Sequence, residues 1–168
     1  MGFKSENKGQ ISIELIILIG IIFVLVLSLA TVFNHENELN VAMASARSGA
    51  IEGASIGGLA IYPRTTFDDY VLSNQILTYP NSAKIIRIEK VNNGYHNVYN
   101  RTWIQLRVIA SSPDLKTSSD RNSAGSRINY YVRKNIANSF NTEHLSNSLY
   151  NPSFSKNYVF TTANVQWI

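Results

Sequence analysis

The side chains that can do chemistry are few and widely spaced in this sequence. None of the 168 residues is Cys, which excludes disulfides, thiolate zinc sites and cysteine nucleophiles. His35, His96 and His144 form no i, i+4 pair and no HExxH motif, so we expect a surface or hydrogen-bonding role for each. The carboxylates Asp68-Asp69 follow Arg64-Thr65-Thr66, a pattern more typical of a helix N-terminus than of an active site. We therefore expect no enzyme activity, no metal and no cofactor.

Glu14 is an ionisable residue in an unusual position, because a long apolar run begins directly after it. Residues 15–33 carry no charge and would form a helix about 28 Å long, close to the hydrocarbon thickness of a bilayer. Apolar side chains occur on all its sides, so such a helix needs lipid or other protein around it. Lys4 and Lys8 precede the run, which places the N-terminus in the cytoplasm by the positive-inside rule.

The composition of this segment leaves three interpretations open. Ser28-Leu29-Ala30 offers the small residues that signal peptidase prefers, and cleavage there would release a soluble protein starting at Thr31. A plain N-terminal membrane anchor is the second interpretation. Neither of these needs Glu14, and an ionisable group in an apolar segment is costly, so the third interpretation gives this carboxylate a function.

The residues around Glu14 form a motif with fixed spacing. Gln10, Ser12, Glu14 and Leu18 fit QxSxExxxL, and Lys8-Gly9 precedes them. This pattern resembles the class III signal peptide of archaeal type IV pilin-like proteins. The resemblance implies that a prepilin peptidase cuts on the cytoplasmic side, between Gly9 and Gln10, and leaves the apolar helix on the mature protein. The match covers the motif and the apolar run that follows it.

A cut at that position has a direct electrostatic consequence. It creates an α-amine at Gln10, four residues from the carboxylate of Glu14. The two opposite charges can pair within one subunit or between neighbouring subunits, and leaving one unpaired in an apolar setting costs several kcal/mol. Such a pair would fix the axial register of identical apolar helices. The resemblance thus implies self-association into a helical filament, with the pilus assembly machinery as a further partner.

Small residues mark the segment that follows the apolar run. Residues at i, i+4 spacing form one stripe on a helix: Ala42, Ala46, Ala50, Ala54 and Gly58. A neighbouring stripe contains Ser45, Gly49, Gly53 and Gly57. Rows of small side chains let helices approach closely, so we predict one helix over residues 10–61, ended by Tyr62-Pro63. The alternative is a half-ordered linker, since each glycine weakens a helix.

The periodicity changes after Pro63 and predicts a β-rich head domain over residues 62–168. The expected elements are a short helix at 67–79, a hairpin of 84–91 and 95–99 turning at Asn92-Asn93-Gly94, a strand at 101–110, an exposed loop at 111–126, a strand at 128–132, a loose helix at 135–150 and a final strand at 158–168. This composition predicts an α+β fold, in which the long N-terminal helix packs on a C-terminal antiparallel β-sheet of four or five strands. The pilin resemblance implies the same arrangement.

The head domain is basic, with 12 Lys or Arg against 6 Asp or Glu in residues 62–168. Its cations alternate with aromatic residues: Arg87, Lys90, Arg101, Arg107, Arg127, Arg133 and Lys134 with Tyr99, Trp103, Tyr130 and Tyr131. Such a pattern can bind single-stranded nucleic acid. Cations that solubilise the outer face of a sheet above buried aromatics give the same pattern and are favoured here. Nucleic acid is therefore not an expected partner.

Asn100-Arg101-Thr102 is an N-glycosylation sequon, in a segment that the orientation rule places outside the cell. The sequence marks Asn100 as a possible glycan site.

These observations predict three parts: a cleaved leader at residues 1–9, a long helix at 10–61 and the head at 62–168. The expected function is that of a pilin, inserted in the membrane as a precursor and then part of an extracellular surface pilus that supports adhesion. The alternative is a secreted or membrane-anchored β-rich binding module, with residues 1–30 as an ordinary signal peptide.

Overall fold

The computed structural model describes residues 6–55 and 83–168, with side chains from residue 13 onward in the first range. Helix α1 spans Glu6–Ser55 and is 50 residues long. The leader residues before Glu6, the last predicted turn of the helix with Gly58, and the predicted short helix at 67–79 lie outside the described residues. The chain divides into two compact units, an N-terminal unit ending at Asn37 and a C-terminal unit beginning at Glu38.

The C-terminal unit contains a five-stranded sheet and a second helix. Its elements are β1 (Lys84–His96), β2 (Arg101–Ser111), α2 (Ser118–Ser139), a 3₁₀ turn (Glu143–Leu145), β3 (Ser153–Phe154), β4 (Tyr158–Thr162) and β5 (Gln166–Trp167). The strand order is β1-β2-β4-β3, and β5 also pairs with β2. A long N-terminal helix followed by a sheet confirms the predicted α+β class.

The sheet is mixed rather than wholly antiparallel. β1 pairs antiparallel with β2, and β3 with β4, as expected. β4 and β5 both run parallel to β2, with Thr102 beside Tyr158 and Ile109 beside Gln166. Helix α2 lies between β2 and β4 in the chain, and a connection of that length allows the chain to return to the starting end of β2. The predicted single strand at 158–168 is thereby split into two short strands along β2.

The predicted hairpin turn at Asn92-Asn93-Gly94 is wrong, because this segment is a bulge inside β1. The pairing of β1 with β2 shifts register between Asn92 and Tyr95, and Gly94 adopts a φ of 83°. A glycine with positive φ is typical of a bulge as well as of a turn. The chain turns instead between His96 and Arg101, where Asn100 has a φ of 51°.

The predicted strand at 128–132 is wrong, because these residues belong to α2, which also begins inside the predicted loop. Thr117 caps the helix by accepting a hydrogen bond from the backbone N–H of Asp120 at 3.1 Å. Ile128, Val132 and Ile136 are fully buried on one face, at the i, i+4 spacing of a helix. Over five residues the apolar pattern does not distinguish a strand from a helix.

Candidate assembly helix

The N-terminal part of α1 carries a continuous apolar surface that no described residue covers. Every large apolar side chain from Ile13 to Phe33 is more than half exposed, including five consecutive residues at 15–19. Five residues cover more than one helical turn, so all sides of the helix are apolar and open. Its length and its mean hydropathy of 3.2 suit a membrane span, properties that a secretory signal shares. We call residues 13–33 the apolar segment.

The hydroxyl side chains within the apolar segment are satisfied by the helix itself. The Ser28 hydroxyl donates to the Val24 carbonyl at 2.8 Å, and the Thr31 hydroxyl donates to the Ser28 carbonyl at 2.7 Å. Such bonds to the preceding turn let hydroxyl side chains enter an apolar environment. Glu14 is exposed at the start of the segment. In an apolar environment a charged side chain at this position needs a partner.

The predicted motif residues all lie within α1. The backbone of Lys8, Gly9, Gln10 and Ser12 is helical, and Leu18 is 54% exposed. Gln10, Glu14 and Leu18 follow one another at i, i+4 spacing and share one face of the helix. The backbone nitrogen of Gln10 is therefore about 6 Å along the helix axis from that of Glu14. The roles of these residues in processing and assembly stay predictions.

The alanine stripe predicted for close packing is buried within the C-terminal unit. Ala42, Ala46 and Ala50 are fully buried and Ala54 is 4% exposed. They belong to one core cluster with side chains of the sheet and of α2: Ile104, Leu106, Val108, Phe160, Ile128, Val132 and Ile136. This stripe therefore packs on the sheet and on α2 of its own chain.

The neighbouring glycine stripe produces a close crossing of α1 and α2. A Cβ at Gly49 would overlap the carbonyl oxygen of Tyr131, and a Cβ at Gly53 would lie 2.8 Å from the Cα of Ile128. The Ser45 and Ser139 hydroxyl oxygens are 2.7 Å apart at the other end of the contact. Residue numbers rise from 45 to 53 on α1 while those of the contacting residues on α2 fall from 139 to 128, so the two helices are antiparallel. Glycine is required here because any side chain would separate the two backbones.

Polar groups hold this crossing in place. The Arg127 side chain is 1% exposed, and its Nε donates to the carbonyl of Gly53 at 2.7 Å. At the surface, Asn135 donates through Nδ2 to Glu52 at 2.8 Å. Arg133 is also buried, but its Nε donates to the Leu149 carbonyl at 3.1 Å, away from α1. Arg127 and Arg133 thus lie inside the unit, and the prediction that they solubilise the outer face of a sheet is wrong because both are on α2.

Glu38 is a buried carboxylate that sequence analysis did not single out. It is 9% exposed and accepts hydrogen bonds from the backbone N and the Nδ2 of Asn157 at 3.0 and 2.7 Å. Burial raises the pKa of this carboxyl, but hydrogen bonds from Ser155, Asn157 and Lys156 outweigh burial, so the pKa lies below its ordinary value. The signal was present: Glu38 extends the alanine stripe by one helical turn, four residues before Ala42.

The predicted glycan acceptor is accessible in the turn between β1 and β2. Asn100 is exposed, and its Oδ1 accepts a hydrogen bond from the Tyr95 hydroxyl at 3.3 Å. Glycan occupancy stays a prediction.

His96 stacks on Tyr99 with ring centroids 4.7 Å apart. In the described ranges, no three His, Cys, Asp or Glu side chains lie together as a metal site would require.

No protein-family model, curated protein or solved structure matches this chain. The likeness to archaeal type IV pilin-like proteins therefore depends on the motif at residues 8–18, the apolar segment that follows it and the α+β architecture.

Replacing Gly49 by alanine tests the close crossing of the two helices. The added methyl group overlaps the Tyr131 carbonyl, so we expect the free energy of unfolding to fall by about 2 kcal/mol, although alanine is the better helix former. Chemical denaturation of the detergent-solubilised chain measures this. Ser48→Ala, at the adjacent exposed position, is the control and should change stability by less than about 0.5 kcal/mol. Equal losses for the two variants would contradict the crossing.

Glu38 predicts a specific dependence of stability on pH. Because its folded-state pKa lies below the ordinary value of 4.5, the charged carboxylate stabilises the fold above that pH, and this contribution is lost as the pH falls through the lowered pKa. Glu38→Gln should lower the free energy of unfolding by about 1 kcal/mol at neutral pH and weaken its decline on acidification. Denaturation at a series of pH values measures both effects. Glu89→Gln, which removes an exposed carboxylate, is the control. If the free energy of unfolding of Glu38→Gln and of the unchanged chain falls equally on acidification, Glu38 does not have the stabilising role described.

Proposed function

We propose that this chain is a pilin, the structural subunit of an archaeal type IV-like pilus. A prepilin peptidase removes the leader before Gln10 while the N-terminus faces the cytoplasm. The retained helix holds the precursor in the membrane and then carries polymerisation into an extracellular filament that supports adhesion.

The observation that carries this proposal is the uncovered apolar segment with a carboxylate at its start. A helix that is apolar on all sides and more than half exposed is stable in lipid or among other apolar helices. Identical helices bundled in a filament bury this surface against one another. An anchor alone would also bury it in lipid, but an anchor gains nothing from Glu14.

Glu14 fixes the axial register between neighbouring helices, which apolar packing alone does not. Apolar helices slide past one another at little cost, since packing energy changes smoothly along a uniform surface. A carboxylate that must meet an α-amine allows one axial offset, because every other offset leaves a buried charge unpaired. Cleavage before Gln10 supplies that amine one helical turn away, within reach of the same or a neighbouring subunit.

The rigid C-terminal unit fits a role on the filament surface. The α1–α2 crossing, the Glu38–Asn157 hydrogen bonds and the alanine stripe fix the second part of α1 to the sheet. The alanine stripe is used within the subunit, so contacts between subunits fall to the apolar segment and to exposed apolar residues such as Ile51, which is 50% exposed.

Glu14→Gln tests the function with a change of charge and almost none of shape. The variant should be processed and inserted into the membrane as before, because the apolar segment is intact. It should form few or no filaments, since the charge pair that sets register is lost. Electron microscopy of the cell surface measures the filaments, and fractionation of cell membranes measures insertion.

Glu36→Gln is the matched control, because it removes the same charge from an exposed position on the same helix, beyond the apolar segment. It should leave filaments at their normal number. Normal filaments from Glu14→Gln would contradict the register argument, and loss of filaments in both variants would show that the total charge of the helix, not the Glu14 pair, is what assembly requires.

A further inference from the structure

A cavity of about 190 Å³ lies between the first half of α2 and the segment that joins β4 to β5. It is contained within the C-terminal unit and is open on one side. At about 30 Å³ for each water in the liquid, its volume is that of about six waters, which suits one small polar molecule.

The lining of this cavity is polar and combines three kinds of group. Uncharged polar side chains come from Asn122, Ser126, Asn129 and Asn164. Arg121 contributes a guanidinium and Trp167 an indole. Each neutral amide or hydroxyl both donates and accepts hydrogen bonds, as the hydroxyl groups of a sugar do.

Asn129 is the buried polar side chain of this lining and has an unused acceptor. The residue is 8% exposed, and its Nδ2 donates to the Ala163 carbonyl at 2.9 Å, which fixes the orientation of the amide. In the part of the chain that the structure describes, no donor reaches its Oδ1. A buried acceptor without a donor is costly, so a ligand hydroxyl that donates to this oxygen would be stabilising.

Arg121 brings a positioned positive charge to the cavity. Its Nε donates to the Leu115 carbonyl at 2.8 Å, which orients the guanidinium plane. Among residues 13–55 and 83–168, no carboxylate lies within ion-pair distance of it. A guanidinium held in this way recognises a carboxylate through two parallel hydrogen bonds.

Gly125 of α2 faces Val165 and Trp167. A Cβ at Gly125 would lie 3.3 Å from the Val165 Cβ and 3.9 Å from Cζ2 of Trp167. The half-buried indole of Trp167 packs against the core of the unit, and its remaining exposed part borders the polar groups. The C–H groups of a sugar ring can contact this exposed part.

We propose that this cavity binds one sugar ring bearing a carboxylate, such as a uronic acid unit of a surface polysaccharide. The carboxylate pairs with Arg121, ring hydroxyls bond to the amides, including Asn129 Oδ1, and C–H groups of the ring contact the exposed part of Trp167. This site goes beyond the proposed pilus function, because it lies within one subunit and needs no filament.

Binding is tested with the full chain in detergent micelles, using glucuronate, glucose and acetate as probes and ligand-observed NMR titration as the readout. Glucuronate should bind saturably and about tenfold more tightly than glucose, because glucose lacks the carboxylate that pairs with Arg121. Acetate at the same concentration should displace little glucuronate. No saturable binding of glucuronate, or displacement by acetate as effective as by glucuronate itself, would overturn the proposal.

Two variants and a control assign the site. Arg121→Gln should weaken glucuronate binding about tenfold and remove the preference over glucose, because it deletes the charged hydrogen bonds. Asn164→Ala, at an exposed lining position, should weaken both sugars. Arg107→Gln removes the same charge from an exposed position outside the cavity and should change nothing. Unfolding midpoints establish that each variant is folded, and unchanged glucuronate affinity in folded Arg121→Gln would refute the assignment.

Discussion

The structure depends on one constraint, which is that the apolar segment of α1 is left uncovered by the residues that the structure describes and must be covered by lipid or protein. More than half of every large apolar side chain from Ile13 to Phe33 is exposed. Water is an unfavourable surrounding for such a helix, so lipid or other helices must replace it. The proposed pilin function meets this requirement in both states, first in the bilayer and then in the filament. We propose that Glu14 adds a polar requirement to the apolar one, so that an ordered assembly is favoured over simple burial.

The second part of α1, residues 38–55, differs from the first because the residues that pack on it belong to the same chain. Alanines at i, i+4 spacing lie against the sheet, while Gly49 and Gly53 admit α2 to backbone contact. Polar groups then fix the position of α1: Arg127 of α2 is bonded to the Gly53 carbonyl, and Asn157, between β3 and β4, is bonded to Glu38. Small residues allow the approach, and buried hydrogen bonds prevent the helices from sliding. The same division of roles is proposed for Glu14 in the filament.

The sequence predicted the helices and strands whose apolar residues repeat at a regular spacing along the whole element. The long helix is confirmed over residues 10–55. The strand at Arg101–Ala110 is confirmed as well, since the alternation of Ile104, Leu106 and Val108 extends over a full strand and all three are buried. The strand predicted at 128–132 failed because the helical spacing of Ile128, Val132 and Ile136 appears only over a longer window. Parallel pairing of β2 with β4 is a contact between distant residues that no local pattern encodes. The sequence indicated the motif at residues 8–18, whereas the cavity beside α2 required the fold, because Arg121 and Trp167 meet only through it.

The mass of the mature N-terminus in cell-surface material tests the central claim most directly. The account predicts a first residue of Gln10, because the leader is removed on the cytoplasmic side and the apolar segment is retained for assembly. A first residue of Thr31 would contradict it. In that case the apolar segment would be an ordinary signal peptide, Glu14 would have no role in the mature protein, and a secreted β-rich binding module would be the better account.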